Sequence, residues 1–384
     1  MTSIVFSEPD AIFVLIAAIL EPRIADEQRE WLDAFVAGDR VSGSQVVEHV
    51  RAQYALDGHA IRCTIAEDRA QLTKAISGAT VLVCGKETID ESLLAEARDL
   101  VLIQKLGTDL RGIDTQSAAA RGVAVSMYRR GGGRRVAEHT IGLMLALVKG
   151  VLRGDRAIRL GIKADARGPR DDWAYNWPEV QLGSGLHGLR LGLLGLGEVG
   201  IEVARLAGAF GMEIEYHQRQ RRPQREVAVS ARYVSKAELF SRADIVDVHL
   251  PLTAESRGVI GAAELALMKP TAYLVNTSRA HVIDESALVE VLEWGKIAGA
   301  ALDNFWHEPL PSDHPLVAME NVILTPHIAG GAFDTQATID DVGGVVDNVA
   351  RVLTGRPIAG TVGGELFSRP DDLHREAVRV GNEE

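Results

Sequence analysis

Short apolar runs alternate with stretches of helical composition along most of this chain. Up to about residue 126, runs such as Ala79-Thr80-Val81-Leu82-Val83-Cys84 and Leu100-Val101-Leu102-Ile103 alternate with helical stretches such as Glu91 to Arg98. That alternation predicts an α/β unit with a buried parallel sheet. The apolar run Ala11 to Leu20 reads as a further buried strand or helix. A longer helix is expected from about Val136 to Val151, opening on acidic Glu138 and carrying few breakers until Gly150 and Gly154. Residues 155 to 187, including Trp173-Ala174-Tyr175-Asn176-Trp177-Pro178, follow neither the helical nor the strand period, and such long irregular segments tend to serve function or an interface.

From Arg190 the regular pattern returns. Strands are predicted at Leu191 to Leu194, Glu213 to His217, Ile245 to His249, Ala272 to Asn276, Gly299 to Leu302 and Val322 to Leu324, with a helix after Gly200. A last helix is expected over about Asp334 to Leu353, before a polar tail. The predicted fold is α/β, with two Rossmann-like or flavodoxin-like parallel-sheet domains and a cleft between them. Residues 1–126, completed by 331–384, form one domain, and residues 127–330 form the other.

Composition narrows the partners. With 384 residues and 46% apolar content the chain can fill a core in each domain. A formal charge of −12 argues against nucleic acid or a membrane surface as partner, since both select a basic footprint. A small, anionic substrate fits better if positive charge is concentrated locally. Ala11 to Leu20 is too short to span a bilayer and lacks both a basic n-region and a small-residue cleavage site, so a cytoplasmic location is expected. Cys63 and Cys84 show no metal-ligand spacing and no disulfide framework; reduced, structural thiols are expected, and no metal constellation is visible.

Gly195-Leu196-Gly197-Glu198-Val199-Gly200 follows an apolar strand and opens a helix, the context in which this glycine spacing signals dinucleotide binding. The first glycine allows the tight turn, the second lets backbone approach the pyrophosphate, and the third lets helix and strand pack closely. A carboxylate at the tip of the next strand would hold the ribose 2′-OH. Here the strand runs out as Glu215-Tyr216-His217-Gln218-Arg219-Gln220-Arg221-Arg222. An amide at Gln218 removes repulsion toward a 2′-phosphate and the guanidinium of Arg219 can bind one, so NADP(H) is favoured and NAD(H) stays open.

Several ordered motifs carry a family resemblance over roughly residues 100 to 355. They are Val136-Ala137-Glu138-His139-Thr140, the glycine loop, His249-Leu250-Pro251-Leu252-Thr253, Met268-Lys269-Pro270, Val275-Asn276-Thr277-Ser278-Arg279, Gly299 to Asp303, Glu308-Pro309 and Thr325-Pro326-His327-Ile328-Ala329-Gly330. Together they resemble the D-isomer-specific 2-hydroxyacid dehydrogenases, and the Tyr216 to Arg219 stretch looks most like the NADP-preferring glyoxylate/hydroxypyruvate reductases. The resemblance implies an NAD(P)-dependent oxidoreductase interconverting a 2-oxo acid and a D-2-hydroxy acid, built as a homodimer. Its catalytic set, carried over by motif, is Arg279, Glu308 and His327. It also implies Asp303 on the nicotinamide carboxamide, with Thr277, Pro251, Gly330 and the Glu198-Val199 backbone around the cofactor.

The chemistry agrees with those residue types. Histidine titrates near operating pH, so His327 suits a proton donor to a developing alkoxide. Glu308 would hold the imidazole's tautomer and favour its charged form. Arg279, at a strand end, can grip the substrate carboxylate and polarise the carbonyl. His139 and His249, in apolar surroundings, read as structural.

Two loops depart from the family pattern. The substrate loop reads Lys105-Leu106-Gly107-Thr108-Asp109-Leu110-Arg111, and Asp109 beside Thr108 would repel a substrate carboxylate unless it is paired or points away. The segment Arg129-Arg130-Gly131-Gly132-Gly133-Arg134-Arg135 reads as a flexible, strongly positive loop. Either Arg134 and its neighbours bind a second acidic group on the substrate, or they are solvated or interfacial charge. Gly132 and Glu308 stand where formate dehydrogenases carry asparagine and glutamine, which disfavours that branch. Ala280-His281 replaces the small pair that usually follows the arginine. Two other classes remain as alternatives: a non-catalytic, corepressor-like dinucleotide sensor on the same fold, and a Rossmann-type NAD-dependent hydrolase. The intact catalytic set argues against the first, and the lack of cysteine in the second domain against the other.

Overall fold

Buried runs rich in valine, isoleucine and leucine form two all-parallel sheets. The computed structural model describes residues 1–21, 30, 32–33, 42–54, 56, 58–129, 131–161, 176, 185–331 and 335–362. Contacts divide the chain into one unit of Met1–Gly132 with Ala332–Glu384 and another of Gly133–Gly331. A boundary at 126/127 would cut β5 (Ala124–Tyr128), which pairs along its length with β4 (Leu102–Leu106); the chain therefore leaves the first unit only at Gly132.

In the first unit β1 (Thr2–Phe6), β2 (Ile61–Ile65) and β3 (Val81–Cys84) join β4 and β5 in the order β2-β1-β3-β4-β5. This is the flavodoxin-like order. The run Ala11–Leu20 folds as a helix, because Asp10 caps it by accepting the Ile12 N–H at 2.9 Å and its length suits a buried helix. The helix Thr335–Thr354 lays Val342, Val345, Val346 and Val349 into the same core, at the spacing of one helical face. Its buried Asn348 amide donates to Gln104 Oε1 at 2.7 Å and to Ser126 Oγ at 3.0 Å, which fixes that helix on the sheet.

The second unit holds β6 (Arg190–Leu194), β7 (Glu213–His217), β8 (Arg232–Tyr233), β9 (Ile245–Val248), β10 (Tyr273–Asn276), β11 (Gly299–Leu302) and β12 (Val322–Leu324). Their order is β12-β11-β10-β9-β6-β7-β8, so the winding reverses between β6 and β9 and leaves a crevice at the carboxyl ends of those strands. Of the strands in this sheet, β8 alone was not expected from the sequence, since two residues make no recognisable run.

The long helix spans Gly132–Lys149 and starts ahead of the expected Val136, because Asp341 Oδ1 accepts the Gly132 N–H at 2.6 Å. Arg134 and Arg135 are therefore in its first turn and not in a flexible loop. Gly150, with φ of 63°, ends it, whereas Gly154 is absorbed into the next helix, Val151–Arg159. Of the Trp173 to Pro178 stretch, all but Asn176 lies outside the described residues, as does the polar tail. Among the described residues no helix is long and apolar enough to cross a membrane. Cys63 and Cys84 are free thiols, and burial pushes both upward, Cys84 to about 12, so neither is a ready thiolate nucleophile.

Candidate active site

Between β6 and the helix Glu198–Ala209 the three glycines have separate physical reasons. Gly195 adopts φ of 100°, and a Cβ there would lie 2.5 Å from the His249 carbonyl oxygen. A Cβ at Gly200 would lie 2.2 Å from the Gly195 carbonyl oxygen, whereas one at Gly197 would meet none of the described atoms within 4 Å. The outer two positions thus tolerate no side chain, and the middle one leaves the backbone open to a ligand. Gly197 is the N-cap and has no side chain with which to cap the helix, and a positive helix end of this kind suits a pyrophosphate. These residues fit a dinucleotide. His249, buried beside the loop, sits 2.7 Å from Asp247 Oδ2 and belongs to the core.

At the tip of β7, Gln218 Oε1 accepts the Leu196 N–H at 3.1 Å, so the amide is tied to the glycine loop. Arg225 donates to the Leu196 carbonyl at 2.6 Å from the other side. Arg219 is exposed, and its charge is one of the influences that lower the carboxyl of Glu255, after the Thr253 hydrogen bond. Pro251 begins the exposed turn that reaches Glu255, its carbonyl accepting the Ser256 hydroxyl at 2.6 Å.

The residues of the expected catalytic set lie at the carboxyl ends of β10, β11 and β12. After β10, Asn276 Oδ1 accepts the Ser278 N–H at 3.0 Å and its amide donates to the Arg279 carbonyl at 3.0 Å. This Asx turn fixes where Arg279 leaves the backbone. Thr277 is buried beside Thr140, with their hydroxyls 2.9 Å apart. His327 Nδ1 and Glu308 Oε2 are 2.8 Å apart, and Glu308 Oε1 accepts the Phe305 N–H at 2.9 Å. Partial burial works to raise the Glu308 carboxyl. The hydrogen bonds from His327 and Phe305 and the charges of His327 and Arg279 outweigh it and hold the group below the usual carboxylate range. An ionised Glu308 requires the hydrogen on His327 Nδ1, which leaves Nε2 for chemistry.

His327 has φ of 56°, a left-handed conformation that few side chains other than glycine, asparagine and aspartate share. Asp303, fully buried after β11, holds it there. Its Oδ1 accepts the Thr325 hydroxyl at 2.6 Å and the Ile328 N–H at 3.0 Å, and its Oδ2 accepts the Ala329 N–H at 2.8 Å. His139 Nε2 lies 3.2 Å from the same Thr325 hydroxyl. On the far side, Arg135 donates to the Gly330 carbonyl at 2.6 Å. Thr325, Asn276 and Arg135 are supports that were not expected from the sequence. Asn276 had a local signal, an asparagine at a strand end two residues before a serine, whereas the other two act across distant segments.

Arg134 reaches Glu138 one turn on, at 3.7 Å with both side chains exposed, so its charge is partly offset locally. In the first unit, Thr108 and Asp109 follow β4. Asp109 accepts from the Arg111 guanidinium and backbone, and the Arg111 hydrogen bond, foremost, holds its carboxyl down at about 2. The repulsion expected from a bare Asp109 is thus met by its own neighbour.

Residues 141–329 match the family model described as D-isomer specific 2-hydroxyacid dehydrogenase, NAD binding domain. The glyoxylate reductase of Aeropyrum pernix is 39% identical over 269 residues, which are 69% of this chain and 77% of that protein. The glyoxylate reductase of Thermofilum pendens is 34% identical over 302 residues, 78% of this chain and 86% of that protein. The crystal structure of a glyoxylate reductase from Paecilomyes thermophila aligns with a TM-score of 0.60 at 25% identity, covering 94% of this chain and 98% of that one.

Proposed function

The chain belongs to the D-isomer specific 2-hydroxyacid dehydrogenase family, and from that premise we propose that it reduces a 2-oxo acid to the D-2-hydroxy acid with NADPH as preferred donor. The observation that carries the reading is the Glu308–His327 pair at 2.8 Å with the charge of Arg279 acting on it. A bound reduced nicotinamide dinucleotide supplies the hydride to the oxo carbon. His327 Nε2 gives its proton to the carbonyl oxygen as that oxygen becomes an alkoxide, and Glu308 stabilises the imidazolium that precedes the transfer. Arg279 grips the carboxylate and orients the carbonyl. The reduction thus adds one hydride and one proton across the C=O bond.

In the same proposal the Glu198-Val199 backbone, Pro251, Thr277 and Gly330 surround the cofactor, Arg219 meets its 2′-phosphate, and Thr108 contacts substrate. Asp303 acts first as the positioning residue of the His327 segment. A second acidic group on the substrate would be read by Arg134, and the protein would work as a cytoplasmic homodimer.

The test follows NADPH and then NADH absorbance against 2-oxo acids from glyoxylate and hydroxypyruvate to phosphorylated and dicarboxylic ones. Rapid NADPH consumption with one of them is expected, and Arg219→Ala should weaken the NADPH preference about 10- to 100-fold, the worth of a charge-assisted contact. Dinucleotide binding without turnover on any acid would replace this reading with the sensor.

The pH dependence has a definite sign. Because Glu308 is held below the usual carboxylate range, it stays ionised through neutral and mildly acidic pH and loses its charge only as pH falls through that depressed value. Glu308→Gln removes the anion that favours imidazolium, so reduction should fade at lower pH than in wild type on the alkaline side, with kcat at neutral pH about 10-fold down. A pH–rate profile checks both, and an unmoved alkaline limb would deny Glu308 this role.

A further inference from the structure

The turn after β7 carries Arg219, Arg221 and Arg222, and the structure does not treat them alike. Arg221 Nε donates to Glu226 Oε1 at 2.8 Å and Nη2 donates to Oε2 at 2.8 Å, a fork-to-fork pair. The Glu226 side chain is only 10% exposed. Its Oε1 also accepts the hydroxyl of the buried Tyr216 at 2.6 Å, and the Arg222 N–H donates to that hydroxyl at 2.9 Å. Hydrogen bonds from Arg221 and Tyr216 hold Glu226 below the usual carboxylate range, so it is a fixed anion at working pH.

A guanidinium binds phosphate through the same two-donor edge that Glu226 already fills. A phosphate that recruited Arg221 would break this pair and leave a largely buried carboxylate without its cation, facing the incoming anion. Gln218 is likewise committed, its oxygen to Leu196 and its amide to the Gln220 carbonyl at 2.5 Å. It therefore serves the glycine loop and not the ribose.

We propose that Glu226 is a specificity-determining residue for the cofactor: it withholds Arg221 and pins the turn, so that Arg219 alone of these two presents its guanidinium to a 2′-phosphate. The proposal rests on the NADP(H) reading above and names the residue that sorts the cations.

The test uses the full chain and isothermal titration with two nucleotide probes, 2′-phosphoadenosine 5′-phosphate and 5′-AMP, and reads the ratio of their dissociation constants. Arg219→Ala should collapse the wild-type preference for the 2′-phosphate about 10-fold or more. Arg221→Ala should leave it within about twofold, the scale of an exposed charge. Glu226→Gln, which keeps an acceptor for Tyr216 but frees Arg221, should raise the preference about threefold or more with 5′-AMP affinity unchanged. Equal collapse in Arg219→Ala and Arg221→Ala overturns the proposal, because both would then read the phosphate. So does a Glu226→Gln variant that weakens both probes alike, the mark of a purely structural carboxylate. A wild-type ratio near one would instead remove the NADP(H) reading, and the proposal with it.

Discussion

His327→Asn is expected to lower kcat for 2-oxo acid reduction about 10³-fold while the affinity for NADPH changes less than about twofold, since a positioned general acid is worth 10²–10⁴ in rate. Asparagine is the informative replacement. It accepts the left-handed backbone that His327 adopts at φ of 56°, so the loop need not rearrange, yet it carries no proton of suitable acidity. About 10³ in rate corresponds to about 4 kcal/mol of transition-state stabilisation, beyond what a lost packing contact at a half-exposed position explains. Steady-state kinetics with the best 2-oxo acid, beside dinucleotide titration, separates chemistry from binding. A loss below about 10-fold would move the proton donor elsewhere.

Asp303→Ala is expected to be nearly as damaging by another route. The carboxylate is the acceptor for the Thr325 hydroxyl and for the N–H groups of Ile328 and Ala329, on both sides of His327. Each buried donor left without a partner costs about 1–3 kcal/mol, so a stability loss of about 3 kcal/mol or more is expected even after some rehydration near the exposed Ile328. Without those bonds nothing comparable holds His327 in its strained conformation, and kcat should fall by about 10² or more. Asp303→Asn keeps one acceptor oxygen and should recover part of the stability. Thermal unfolding and amide exchange at Ile328 and Ala329 read the first effect, and kcat the second. Wild-type amides that exchange freely there would show that Asp303 does not hold the segment.

Local pattern made much of the second unit legible. Apart from β8, the strands from Leu191 to Leu324 and the glycine loop follow from the sequence, because strand burial, tight turns and helix starts are decided within a few residues, whereas Arg279, Glu308 and His327 were singled out by the family resemblance. The pairing of Asp109 with Arg111, two residues on, was equally local, and weighing that spacing would have anticipated the neutralised charge.

What the tertiary structure decided was the fate of each charge. Arg135, read as part of a flexible, strongly positive loop, instead holds the carbonyl of Gly330, 195 residues away in sequence. Asp303 meets Thr325 across 22 residues and, with its bonds to Ile328 and Ala329, sets the backbone around His327. Asp341, from the C-terminal helix, starts the long helix at Gly132 and carries the two arginines into its first turn. A hydrophobic period records which face is buried, whereas a charged side chain takes whichever partner the fold brings within about 3 Å, and that partner leaves no trace in the residues beside it.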